Sequence, residues 1–488
     1  MPSSPPSSPR IAIIGGGISG LAAAHRILEL NPAAQVTLFE ASGRLGGVLQ
    51  TERRDGYLME RSADMFTTRE PWALDLCRRV GIESELIETN KQHRRAFVVH
   101  KGKLVPVPEG FTLMSPAKVW PILKTPLLSP FGKLRMAWEY FTPKKQDTAD
   151  ESLESFVTRR FGREAFDRLI QPLIGGIYTA DPSLLSMQAT LPQFVEMERQ
   201  AGSLIRGVRR KGGVGFQPAQ KNEESGQKAV GSRQESGARY GMFLAPKGGM
   251  QRLVDAVAAK LPAGVVRLNA KVESIVRAAN GSNWQVQVAA EEPKEFDAVI
   301  LAAPSSISGK LLESVDSELA GLVGSIPQAG CNVALLGFRR EQIAHPLDGF
   351  GFVVPTIEKR RIIAGSFTSV KFPGRAPEGK VLLRVFIGGA LQPELLSLSD
   401  AETSKIVLEE LRDLLGITGE PEFCDIARWH GAMPQYHVGH LDKVRQIEER
   451  VAAIPGLALA GNSYHGVGVP FCVHDGEQAA ERVLKTEN

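Results

Sequence analysis

RIAIIGGGISG, residues 10–20, decides the fold. Ile11, Ala12, Ile13 and Ile14 form the short apolar run of a central parallel strand, and Gly15, Gly17 and Gly20 follow in G-x-G-x-x-G spacing. Gly15 permits the tight turn, Gly17 lets a pyrophosphate approach the backbone, and Gly20 lets the next helix, expected over 21–30, pack on the strand. The start of that helix offers free N–H groups and a positive dipole end to a phosphate. The strand-like QVTLF at 35–39 then ends on Glu40, about 20 residues beyond Gly20, where a carboxylate accepts both ribose hydroxyls of an adenosine. The alternative is a tight turn in an ordinary α/β protein with a surface glutamate.

Beyond Glu40 the chain reads Arg44-Leu45-Gly46-Gly47. This E-x-x-x-R-x-G-G pattern resembles the second fingerprint of the large FAD-containing amine oxidase superfamily. The resemblance implies FAD rather than NAD, with the arginine and glycines closing over the diphosphate. The alternative is a Gly-Gly turn with a solvated arginine.

At 488 residues the chain is long enough for two or three domains. A net charge of +4 suits an anionic substrate or a membrane surface and demands no nucleic acid. Cys77, Cys331, Cys424 and Cys472 are scattered, without metal-ligand spacing, which points to a reduced cytoplasm. The opening MPSSPPSSP lacks the apolar centre of a signal peptide, so export is not expected. No stretch supplies the roughly 18 apolar residues of a spanning helix.

The expected organisation is α/β, with α+β character across several domains. A discontinuous Rossmann-like FAD-binding domain uses residues 9–90, 241–304 and 436–488. Residues 91–205 form a helical subdomain, 206–240 a mobile loop poor in large apolar residues, and 305–435 a substrate domain with a sheet. Within 111–141, Trp120, Trp138, Phe111, Phe131 and leucines interleave with Lys118, Lys124, Lys133 and Arg135. Such a composition suits a membrane interface, or equally a subdomain packing its apolar face inward.

Six stretches, in order along nearly the whole chain, resemble the protoporphyrinogen oxidase family, whose bacterial form includes coproporphyrinogen oxidases. They are GGIYTADPSLLSM (175–187), PKGGMQRL (246–253), GFGFVVP (349–355), FPGRAPEG (372–379), PQYHVGH (434–440) and LALAGNSYHGVGVP (457–470). The resemblance implies FAD contacts at Gly15, Gly16, Gly17, Ile18, Ser19, Gly20, Glu40, Ala41, Arg44, Gly46, Gly47, Val48, Glu60, Arg61, Ser62, Ala63, Val272, Asn462, Val467, Gly468 and Val469. Gly461, Gly466 and Gly468 keep the last loop bare, and Asp475-Gly476 is expected to open a final helix over 477–484.

For the substrate, the resemblance implies an arginine for a propionate, here Arg94 or Arg95, and apolar faces at Val353, Ile363 and Phe386 with Gly176 opposite. It implies six-electron oxidation of a porphyrinogen, protoporphyrinogen IX or coproporphyrinogen III, with oxygen as acceptor and hydrogen peroxide as product. No Ser/His/Asp set, paired carboxylates or metal cluster stands out, and the flavin carries the redox work. His465, His437 and Asp64 are candidate proton relays. The protein is expected in the cytoplasm, with a possible peripheral membrane face. Rival readings are an amine oxidase or desaturase of the same superfamily, for which Cys472 would be a covalent flavin ligand, and a noncatalytic flavin-fold carrier.

Overall fold

The computed structural model describes residues 8–112, 114–116, 119–210, 242–278 and 283–485. Its first sheet holds five parallel strands in the order Val266–Arg267, Gln35–Phe39, Arg10–Ile14, Ala298–Leu301 and Leu457–Leu459. Distant segments of the chain meet there because each contributes a short apolar run that must be covered on both faces. Ile11 and Ile13 face a core shared with helices Ile18–Leu30 and Val469–Lys485. Ala12 and Ile14 face the opposite core, built with the antiparallel strands Val272–Arg277 and Trp284–Val288 and with helices Ser317–Gly324 and His440–Ala452.

A seven-stranded sheet makes the second layer, ordered Phe423–Pro434, Gln328–Arg339, Lys380–Gly388, Ala364–Phe367, Gly351–Val353, Phe97–His100 and Lys103–Pro106. A third, helical layer packs around Phe156, Phe161, Leu169 and Phe194. Its helix Pro130–Ala137 starts where Ser129 accepts the Gly132 amide at 3.0 Å and Pro130 needs no N–H partner, so the proline punctuation sets helix starts rather than abolishing helices.

Several sequence-based boundaries shift. Residues 97–106, assigned to the helical subdomain, form two strands of the seven-stranded sheet, and their registered pairing is that of a hairpin. Helices Ser305–Leu312 and Ser317–Gly324 bury Leu311, Leu312, Leu319 and Val323 in the core of the first sheet, so the layer of the seven-stranded sheet begins after them. Residues 206–210, assigned to the mobile loop, end helix Leu204–Arg210, and 211–240 lie outside the described residues. The last helix begins at Val469, not at 477. Gly476 lies inside it because a Cβ there would sit 2.1 Å from the Ser19 carbonyl oxygen, where this helix crosses the first one. Among the described residues, no helix is long and apolar enough to cross a membrane.

Candidate functional site

The first strand ends in a turn that only glycine tolerates. Gly15 has φ +116° and donates to the Phe39 carbonyl at 2.8 Å. The Gly20 Cα approaches so closely that a Cβ there would lie 2.0 Å from the Gly15 oxygen. A Cβ on Gly17, by contrast, would meet nothing within 4 Å. The helix that follows has no side-chain cap, which leaves its first N–H groups facing that open space. Bare backbone, open volume and unsatisfied donors together fit a diphosphate.

Glu40 sits under the turn: one carboxylate oxygen accepts the Gly16 amide at 2.8 Å, the other the Ser42 amide at 2.8 Å and its hydroxyl at 2.7 Å. Ala41 beside it is exposed. Gly46 donates to the Gly16 carbonyl at 2.8 Å, which joins the two fingerprints into one structure. Arg44 donates at 3.1 Å to the carbonyls of both Leu45 and Leu49, and also to that of Gly47. Its guanidinium therefore braces the glycine turn, a task the spacing alone did not reveal.

The segment 60–64 divides by side chain. The Glu60 side chain is taken by the protein itself: it is fully buried and accepts the Met250 amide and the Thr51 hydroxyl, each at 2.8 Å, so it anchors the start of helix Gln251–Ala258. Burial pushes its carboxyl above the usual range. Arg61 pairs with Glu52 at 2.9 Å while its carbonyl accepts the Trp429 indole N–H at 2.7 Å. The Ser62 hydroxyl donates to the Val48 carbonyl, and Ala63 is half-buried beside it. Val272 is buried near the Glu40 end of the sheet, where the Ala270 amide donates to the Glu40 carbonyl at 2.9 Å. In the last loop Gly461 has φ +135°, and the Asn462 carbonyl accepts the Tyr436 hydroxyl at 2.5 Å. Val467, Gly468 and Val469 lead into the final helix. Tyr436, within PQYHVGH, was missed as a site residue because its role depends on a contact 26 positions away.

On the seven-stranded sheet Val353 registers with Ala364, and Ala364 with Phe386. Registered residues point to one face, so these three form a continuous apolar row. Gly176 lies over it: a Cβ there would meet Val353 at 3.1 Å and Ala364 at 3.8 Å. Ile363 directly precedes the strand Ala364–Phe367, its amide donating to the Phe386 carbonyl at 2.8 Å.

The two arginines differ. Arg95 pairs with Asp348 and its guanidinium lies 5.6 Å from the centre of the Phe97 ring, on the core face opposite Val353. Arg94 donates to Glu88 at 3.3 Å and to the Thr89 carbonyl at 3.5 Å, both long, and its Nε finds no hydrogen-bond partner among the described residues.

The candidate relays differ in their surroundings. Both Asp64 oxygens are held by Lys371, at 3.0 and 2.9 Å, and Arg384 lies 3.1 Å from one of them. Burial alone would raise this carboxyl, but the two cations hold it down at about 2, so it stays ionised and carries no proton at neutral pH. Burial lowers His437 below the usual histidine value. His465 bridges Asp475 at 2.6 Å and Glu448 at 2.9 Å, which ties the flavin loop to helix His440–Ala452. The bond to Asp475 raises its imidazole to about 9 against the opposing effect of burial. A histidine raised above its unfolded value of about 6.5 contributes stability in full below that pH and loses it as pH climbs through about 9. FAD release followed by flavin fluorescence should therefore rise between those limits, and His465→Gln should flatten that rise; a wild-type profile in the variant would exclude the clamp. Cys472 is buried, and burial pushes its thiol up to about 12, the environment of an inert structural thiol.

A family model described as flavin containing amine oxidoreductase matches residues 18–484. Coproporphyrinogen III oxidase of Bacillus subtilis (strain 168) is 35% identical over 479 residues, covering 97% of each chain. The mitochondrial protoporphyrinogen oxidase of Nicotiana tabacum is 29% identical over 98% of this chain and 95% of its own. A crystal structure from Exiguobacterium sp. 255-15, assigned as a protoporphyrinogen oxidase, superposes with a TM-score of 0.85 at 30% identity, over 99% of this chain and 100% of that one. With its glycine cradle, its second fingerprint and this match over nearly its full length, the chain belongs to the flavin containing amine oxidoreductase family and takes FAD as its cofactor.

Proposed function

We propose that the protein oxidises a porphyrinogen to the porphyrin by removal of six electrons, with oxygen as final acceptor and hydrogen peroxide as product. The observation that carries this reading is the row Val353, Ala364 and Phe386 under Gly176, a flat apolar wall without an acid or base. Bound FAD supplies the two-electron acceptor and its reoxidation by oxygen. The chain's own residues orient and shield. The wall takes a large planar ring and excludes water, and Gly176 closes its Val353 end by packing directly against it. Arg94 supplies the cation for a propionate, since Arg95 is already occupied by Asp348. Protoporphyrinogen IX and coproporphyrinogen III share this chemistry, and the Bacillus relative's name favours the latter.

With FAD and oxygen, the protein should turn either colourless porphyrinogen into a fluorescent porphyrin with stoichiometric peroxide, and parallel rates on the two rank them. Arg94→Ala should raise KM about tenfold or more, near 1.4 kcal/mol of lost binding, with an unchanged flavin spectrum, while Arg95→Ala should not. No porphyrin from flavin-loaded enzyme would discard the function. Equal kinetics of the two variants would discard the anchor.

The cytoplasmic protein docks peripherally on a membrane. Trp120, Phe131, Leu134, Trp138 and Phe141 are 63–79% exposed on one helical layer, far more apolar surface than scattered single residues provide. Sedimentation with anionic vesicles at low salt is expected, and Phe131→Glu combined with Trp138→Glu should abolish it. A wild-type protein that stays in the supernatant refutes the docking.

A further inference from the structure

Five charged side chains are buried together where the FAD-binding layer meets the seven-stranded sheet. Glu60 and Asp64 flank Arg61, Ser62 and Ala63, while Lys371, Arg375 and Arg384 arrive from the sheet side. None is more than 7% exposed. Lys371 and Arg384 share the Asp64 carboxylate, and Arg375 lies 3.9 Å from Glu60 and donates to the Pro246 carbonyl at 3.1 Å. Within this cluster three cations face two carboxylates. Burial drives both Glu60 and Lys371 toward their neutral forms, so the surplus rests on the two guanidinium groups, Arg375 and Arg384, beside the single charge of Asp64. The Nε atoms of Arg375 and Arg384 find no hydrogen-bond partner among the described residues.

A surplus charge out of water is costly, and proteins keep such strain where the working state supplies its complement. Arg384 shows where that complement acts. It donates to the Ser62 carbonyl, and its guanidinium lies 5.2 Å from the centre of the Phe386 ring. It thus touches a residue assigned to the cofactor and another assigned to the substrate wall. Two electrons and one proton convert a neutral oxidised flavin into a monoanion, so the bound cofactor gains a negative charge as the reaction proceeds.

We propose that this buried cluster, acting through Arg384, is the counter-charge for the reduced flavin, and that it makes the protein bind reduced FAD more tightly than oxidised FAD. Arg384 is then a positioning and tuning residue that sets the direction of electron flow. The inference rests on FAD occupying the cradle and not on the identity of the substrate.

The test is the midpoint potential of bound FAD at pH 7, measured by equilibration with a reference dye in the full-length holoprotein and without porphyrinogen. Arg384→Gln should reduce the preference for reduced over oxidised FAD about tenfold, equivalent to a two-electron potential about 30 mV more negative. Arg384→Lys should keep the wild-type potential because it keeps the charge. Should Arg384→Gln fail to fold, Lys371→Met removes a charge from the same cluster and is read in the same way. A purely structural role would weaken both redox states of FAD equally and leave the potential in place, which would overturn the proposal. An unchanged potential with a raised KM for porphyrinogen would also overturn it, assigning the cluster to a substrate carboxylate. Because no substrate enters the measurement, a failed porphyrinogen assay leaves its reading intact.

Discussion

Gly17→Val should fold with the melting temperature of the wild-type apoprotein and bind FAD about 100-fold more weakly, a loss near 3 kcal/mol. Gly20→Val, three residues on, should not reach the native fold. The contrast follows from where a Cβ would go. At Gly17 the backbone is extended, with φ −70° and ψ 177°, and the new side chain projects into open space. Nothing in the protein is disturbed, yet that space is where the diphosphate must approach the helix N-terminus. At Gly20 the new atom lies 2.0 Å from the Gly15 oxygen and 3.2 Å from its carbon, both backbone atoms of the turn itself. The strand and helix must separate, at an overpacking cost at or above the usual 1–3 kcal/mol (about) range. Thermal melts of the apoproteins and FAD titrations distinguish the two. A Gly17→Val protein that purifies with a full complement of flavin would remove the phosphate cradle from this site.

Replacing Arg160 with alanine should cost about 3–5 kcal/mol and unfold the helical layer ahead of the rest. Arg160 and Glu139 are both fully buried. The guanidinium donates to Glu139 at 2.9 Å, to Glu198 at 3.1 Å and to the Thr142 and Gly202 carbonyls, each at 3.0 Å. Glu139 in turn accepts the Ser203 hydroxyl at 2.6 Å and the Leu204 amide at 2.8 Å, so one carboxylate holds the start of helix Leu204–Arg210. Removing Arg160 leaves Glu139 without its cation in a site water does not reach, while Glu198 keeps Arg159 at 2.7 Å. Trp138 and Phe141 flank Glu139 and carry part of the exposed apolar surface, so vesicle binding should be lost together with stability. Thermal denaturation with limited proteolysis reads the first effect and sedimentation the second. Glu139→Leu combined with Arg160→Met should recover much of the lost stability, because apolar side chains of similar size leave no unpaired buried charge behind: Glu198 keeps Arg159. An Arg160→Ala melt within about 1 kcal/mol of wild type would show that this network is redundant.

The glycine fingerprint, Glu40 and the Arg44-Leu45-Gly46-Gly47 turn were legible because each acts over a few residues. Helix boundaries were less so. The last helix was placed eight residues late, since Asp475-Gly476 reads as a breaker until the crossing with Ser19 is seen. The pair Val353 and Phe386 could be chosen as apolar strand residues, but their shared face depends on the register of Ala364 between them. Glu60 stood as an implied cofactor contact and Asp64 as a candidate proton relay, and in the fold the side chains of both are engaged by partners distant in the chain.

By itself, then, the sequence determined the dinucleotide turn, the alternation that builds each sheet and the family, because backbone conformation and side-chain period are set by neighbours a few positions apart. Only the tertiary structure decided where the long charged side chains end. Asp64 meets Lys371 across 307 positions, Arg95 meets Asp348 across 253, and Arg94 is left underused beside it. A flexible charged side chain goes to whichever opposite charge the fold brings within a few ångströms, and no local pattern encodes that distance.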